Sequence, residues 1–168
     1  MFTPTNDHDR RLAHNQFSFQ QCLFFTLCVA FAIFAYKGCG ESTPNNALLD
    51  AAMLGDSDAI GVLLDNGANI DHRDAWHTTA LGLAAAYGHL ECVELLLAHG
   101  ANPDERIREN KTALIWAAEA GQIEIVKRLL VYGADHALTD DNGFTAKQHS
   151  VNNGHDAIAE LFPTSDAG

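Results

Sequence analysis

The sequence predicts an all-α solenoid of four helix-turn-helix repeats with hairpin loops, preceded by an N-terminal hydrophobic helix. Three observations lead there. Ala47, Ala80, Ala113 and Ala146 recur at a step of 33 residues, and so do Gly55, Gly88, Gly121 and Gly154. The triplets Gly67-Ala68-Asn69, Gly100-Ala101-Asn102 and Gly133-Ala134-Asp135 keep the same step. Ahead of this array, Cys22 to Tyr36 is a fifteen-residue run without a charge. Self-similarity at such a period is the mark of stacked supersecondary units.

Each element of the unit has a physical reason. Thr79, Thr112 and Thr145, with Asn46 in the first copy, stand where a side-chain oxygen caps a helix N-terminus. The first helix of each copy carries paired alanines (Ala51-Ala52, Ala84-Ala85, Ala117-Ala118), small enough for neighbouring helices to approach closely. A glycine turns the chain. The second helix opens on an acid, Asp58, Glu91 or Glu124, which suits the positive end of the helix dipole. Its apolar stripe at i, i+3, i+4 is Ile60, Leu63 and Leu64, then Val93, Leu96 and Leu97, then Val126, Leu129 and Leu130. Gly67, Gly100 and Gly133 follow, where a positive φ is required. Helices of eight to ten residues fall below the ~12–15 at which an isolated helix becomes even marginal, so these must stack. The first copy lacks a preceding hairpin, and the last has Lys147 and Ser150 where inner copies have Leu and Ala. Both read as caps.

The unit resembles the ankyrin repeat, D-x-x-G-x-T-P-L-H-x-A-A-x-x-G-H-x-E-x-V-x-L-L-L-x-x-G-A-D/N. The second copy matches it at Asp74, Thr79, Leu81, Ala84, Ala85, Gly88, His89, Glu91, Val93, Leu95 through Leu97, Gly100, Ala101 and Asn102. Ala80, Ala113 and Ala146 replace the proline, and Gly82, Ile115 and Gln148 replace the histidine, which removes a local hydrogen bond. The organisation expected is a signal peptide or N-terminal membrane anchor at 1–37, a linker at 38–44, an ankyrin repeat domain at 45–163 and a tail at 164–168. The repeats run at about 45–73, 74–106, 107–139 and 140–163.

The resemblance implies a protein-interaction module that binds a protein partner with its hairpin tips and the exposed side of its first helices, the concave face of the stack. Carried over position by position, the partner-binding residues are Trp76, Thr78, Tyr87, Arg108, Glu109, Lys111, Glu119 and Phe144. Met53, Leu54, Ala86 and Ala120 share the helix positions. Trp76 leads, because a tryptophan at a hairpin tip has little core to fill and Trp is a common interface anchor. The competing reading has it braced against Tyr87 or His77. Trp116 faces the neighbouring repeat and is expected in the core.

The N-terminal run, as a helix, is roughly 22 Å long against a hydrocarbon core of ~30 Å, which favours the apolar region of an export signal over a full membrane span. Arg10 and Arg11 precede it and Lys37 follows. Gly38-Cys39 resembles the end of a bacterial lipobox and would make Cys39 a lipidation site. Tyr36 and Lys37 depart from the aliphatic and small residues of that pattern. The expectation is a domain displayed outside the cytoplasm, in the periplasm or at the membrane. The alternative is a membrane-anchored adaptor facing the cytoplasm.

Composition excludes other classes. Arg10, Arg11 and Lys37 against Asp7 and Asp9 leave +1 before Gly40, so the remainder carries −13 of the net −12. A body this acidic lacks the clustered cations that nucleic acid requires, and it favours encounter with basic partners. No cofactor is implied, and no Gly-x-Ser-x-Gly, His-Glu-x-x-His or phosphate-cradling loop occurs, so no enzyme is expected. The nine histidines invite a metal-handling or stress-protection reading through His72, His77, His99 and His136. Against it, His89 and His155 sit in the Gly-His turn, and His99 adjoins a helix-ending glycine. Cys92 falls at a helix core position, and the four cysteines suggest neither a disulfide framework nor a zinc site.

Overall fold

The period of 33 becomes a two-layer stack of helix pairs. The structure, a computed structural model, describes residues 43–163. The hydrophobic segment within 1–37, most of the 38–44 linker with Cys39, and the 164–168 tail lie outside the described residues. The first helices are α1 (Pro44–Leu54), α3 (Ala80–Tyr87), α5 (Ala113–Glu119) and α7 (Ala146–Asn152). The second helices are α2 (Ser57–Asp65), α4 (Leu90–Ala98), α6 (Ile123–Val131) and the single turn α8 (Asp156–Ala159). First helices pack on first helices and second on second, while each pair is joined by its own turn. Among the described residues there is no named strand, only an isolated antiparallel bridge between Thr139 and Thr145 at the last hairpin. No helix among them is long and apolar enough to cross a membrane.

The caps show how local chemistry sets the register. The Thr79, Thr112 and Thr145 hydroxyls accept from the backbone N–H of Gly82, Ile115 and Gln148 at 3.2, 3.4 and 3.4 Å. The first copy departs from expectation. Asn46 is not the cap; Thr43 is, accepting from the Asn46 N–H at 3.3 Å. Helix α1 begins one turn earlier than that position implies, and Pro44 supplies a helical φ at its first position. The repeat domain thus takes in Thr43 and Pro44, which the sequence had left to the linker.

The core sits between the layers. The alanine pairs are buried, as are Ile60, Val93, Leu96, Leu97, Val126 and Leu129, with Leu63, Leu64 and Leu130 packed partly buried against them. Cys92 is buried in the same cluster. The paired alanines let the helices approach, and the second-helix stripe fills the gap.

Two ladders tie each repeat to the next. In the first, the Asp71 and Asp104 carboxylates accept from the backbone N–H of Asn102 and Asp135 at 3.2 and 2.8 Å. At the first step the acceptor is Asn45, on α1, whose side-chain oxygen accepts from the Asn69 N–H at 2.7 Å. In the second ladder, the side chains of His89, Gln122 and His155 cover Gly55, Gly88 and Gly121 of the preceding repeat. His89 Nε2 also bonds the Met53 carbonyl at 3.0 Å. The Gly-His turn is therefore an inter-repeat clasp.

The missing histidines are compensated. Gly82 leaves room for Ile107, whose Cδ1 would lie 2.6 Å from a Cβ at that position. Ile115 is buried, and Gln148 closes a capping box by accepting from the Thr145 N–H at 2.8 Å. Among the described residues, no buried side-chain nitrogen or oxygen is left unpaired.

The hairpin tips repeat a backbone feature: His77, Asn110 and Gly143 all have positive φ (56°, 58° and 79°). A histidine in that region carries a penalty of about 1–2 kcal/mol that glycine does not. Replacing His77 with glycine, the residue of the last hairpin, should stabilise the domain by about 0.5–1 kcal/mol after glycine's entropy cost, read as a rise in the urea midpoint at constant slope.

Candidate functional site

The residues expected to contact a partner lie on the hairpins and on the first helices. Each hairpin closes through one backbone bond: Asp74 N–H to Thr78 O at 3.2 Å, Ile107 to Lys111 at 2.9 Å, Asp140 to Phe144 at 3.0 Å. In the second and fourth repeats an aspartate organises the turn. Asp74 Oδ1 accepts from the N–H of Trp76 and Thr78 at 2.8 and 2.9 Å, and Asp140 Oδ1 does the same for Asn142 and Phe144, both at 2.9 Å. The third repeat has Ile107 there, and its tip instead makes a short 3-10 turn, Arg108–Asn110.

Trp76 stands at its tip 63% exposed, while Tyr87 stacks on His89 with ring centroids 6.4 Å apart. Tyr87 is half-buried, and that burial raises its phenol above the ordinary value. Phe144, 41% exposed, meets His149 edge-on at 5.9 Å. Leu54, 70% exposed, ends α1 at the position that Tyr87 holds in α3.

Two expected contact residues are corrected. Thr78 is buried, because the Asp74 turn draws its backbone inward. Lys111 is buried as well, and its ammonium sits between Glu119 at 2.9 Å and Glu109 at 3.1 Å. Burial alone pulls that ammonium down, but the hydrogen bonds and charges of the two glutamates more than offset it, so its pKa lies above the usual lysine value. Arg108 is exposed and reaches Glu109 at 3.6 Å. The cluster of Arg108, Glu109, Lys111 and Glu119 is thus internally paired rather than held open for a ligand. Trp116, expected in the core, is half-buried on the outward row it shares with Leu83. Leu83 was missed, although its spacing of 33 from Trp116 was the signal for it.

The Lys111 arrangement carries a test. Lys111→Ala removes one ammonium from two half-exposed carboxylates and should lower stability by about 1–3 kcal/mol, less than the loss of a deeply buried pair because water screens the glutamates. The raised pKa means the wild-type contribution is complete below about pH 10.5, the model-compound value, and is lost as pH rises through the higher folded value. A stability–pH profile in the alkaline range should therefore flatten in the variant.

Four of the histidines make contacts within the fold. His89 bonds Met53 O, His99 Nδ1 bonds Leu95 O at 2.8 Å, His149 Nε2 bonds Asp140 Oδ2 at 3.0 Å, and His155 covers Gly121. Among the described residues, no three His, Cys, Asp or Glu side chains come together as a metal-holding group. His72 and His77 form no such group with Asp74, whose carboxylate is committed to the turn.

The geometry thus describes a stack of helix pairs with an exposed aromatic at one hairpin tip, and the comparison with known families agrees on the repeat. The family model described as ankyrin repeats (3 copies) matches residues 26–107, 48–140 and 100–167. The chain belongs to the ankyrin repeat family, whose repeats generally mediate protein–protein interaction. No curated protein matches the chain.

Proposed function

We propose that this chain is a non-catalytic protein-interaction module that binds a protein partner on the face built from Trp76, Tyr87, Leu54 and the outward rows of the first helices. The observation that carries this reading is Trp76: a large aromatic, 63% exposed, whose backbone is fixed by Asp74. A rigidly mounted tryptophan loses little entropy on binding and brings a large apolar area to an interface. Trp76→Ala should weaken partner binding by more than ~1 kcal/mol and leave the melting temperature nearly unchanged. Calorimetric titration and thermal melting of the same sample separate the outcomes. A large loss of stability would make Trp76 a brace and remove it from the interface.

The second part of the proposal is export. The fifteen-residue uncharged run behind Arg10 and Arg11 supports delivery of the repeat domain outside the cytoplasm, as a cleaved signal or as an anchor. The N-terminal mass of the mature protein distinguishes an intact anchor, a cleaved signal and a lipid on Cys39. A repeat domain found only in the cytosol, or protected from protease in spheroplasts, replaces export with the cytoplasm-facing adaptor.

A further inference from the structure

The chemistry of the partner is written in what the domain withholds. Residues 43–163 hold seven cations against eighteen carboxylates. Every one of those cations is engaged within the domain. Arg73 pairs with Glu105, Arg108 with Glu109, Lys111 with Glu109 and Glu119, Lys127 with Glu124, and Arg128 with Glu94. Arg106 donates to the Asn110 and Thr139 carbonyls, and Lys147 to Pro163 O. An acidic partner would therefore meet a net negative field over the domain. The carboxylates are in surplus.

The proposed binding face shares this bias and adds an apolar part. Lys111, joining the hairpin to Glu119 on α5, shows that tip positions and outward helix positions meet on one surface. One repeat earlier, Trp76 and Ala86 occupy the places of Glu109 and Glu119, 33 residues back, so that panel is aromatic and apolar where the next is ionic. Leu54, Leu83 and Tyr87 extend the apolar panel. Glu109 and Glu119 are matched there by Arg108 and Lys111, whereas Asp50 and Asp141 stand exposed at the first and last repeats.

Resting on the binding face proposed above, we propose that its occupant is a basic protein segment with apolar side chains. The apolar groups lie on Leu54, Trp76, Leu83 and Tyr87, and lysines or arginines meet the exposed Asp50 and Asp141. Burial of the apolar panel supplies the attraction at contact, and the charge surplus supplies steering and selects against acidic segments.

Three labelled synthetic peptides of equal length test this on the full chain: one with lysine and leucine on opposite helical faces, one with glutamate for each lysine, and one with serine for each leucine. The lysine–leucine peptide should bind, and its affinity should fall about tenfold or more between about 50 and about 300 mM salt. The other two should bind at least about tenfold more weakly. Trp76→Ala, and separately the exposed pair Asp50→Lys with Asp141→Lys, should each weaken it about fivefold or more without shifting the melt. Equal binding of the glutamate peptide, no salt dependence, or indifference to both variants overturns the inference. A photo-crosslinker at position 76 in producing cells keeps the two proposals apart. Capture through an acidic segment overturns the basic partner and leaves the face in place. No capture, with all three peptides failing, overturns both.

Discussion

Replacing Asp140 with alanine should lower the unfolding free energy by about 2–4 kcal/mol, the sum of two or three charge-assisted hydrogen bonds less what relaxation recovers. The Asp140 side chain is fully buried and accepts from the N–H of Asn142 and Phe144 at 2.9 Å each and from His149 Nε2 at 3.0 Å. Alanine leaves all three donors facing a void. Burial alone would raise this carboxyl, but the bonds from Phe144, His149 and Asn142 outweigh it and bring its pKa down to about 2. A folded-state pKa below the usual 3.8 means that the contribution is complete above about pH 4 and is lost as pH falls through about 2. Urea titrations across that window should show stability dropping in the wild type. The drop should be smaller in Asp140→Asn, which keeps the shape and loses the titration. An unchanged slope of stability against pH between the two would remove Asp140 from the account of acid stability.

Gly55→Ala should cost about 2–3 kcal/mol, from two separate sources. Gly55 has φ +77°, a conformation that a Cβ penalises, and the added carbon would lie 2.6 Å from His89 Nδ1. The ring has to move and surrender its bond to the Met53 carbonyl. Adding His89→Ala to Gly55→Ala removes the collision but not the backbone penalty, so the double variant should be less destabilised than the two single changes summed. In a stack whose repeats contact only their neighbours, the loss falls on the first repeat. Urea unfolding should lose cooperativity, with α1 and α2 releasing early and the main transition showing a reduced slope. A single transition with unchanged slope and midpoint would show that the Gly55–His89 clasp adds nothing.

The repeat architecture was legible in the sequence because its signals are local and periodic. Capping threonines, alanine pairs, the second-helix stripe and the helix-ending glycines act through neighbours three or four residues away, and all of these stand where expected. The start of α1 was misplaced by one turn because Asn46 occupies the period's cap position. The physical choice fell to Thr43-Pro44, which combines an acceptor with a preset φ. The binding face was only half legible. Period 33 placed Trp76, Tyr87 and Phe144 on the right elements, but it says nothing about which way a side chain turns. Thr78 and Lys111 sit at tip positions by count and are buried in fact.

The sequence by itself determined the repeat family, the number and order of the repeat helices among the described residues and the acidic balance of the domain, since these follow from spacing and composition. Tertiary structure alone decided which polar groups are consumed by the fold. Asn45 accepts at the first step the bond that Asp71 and Asp104 accept at the later ones, and Ile107 fills the space over Gly82. His89 clasps the repeat before it, and Lys111 is held by two glutamates. Each of these depends on contacts between residues that the count along the chain does not bring together. Burial makes such contacts matter, because a polar group removed from water has to find its partner inside the protein.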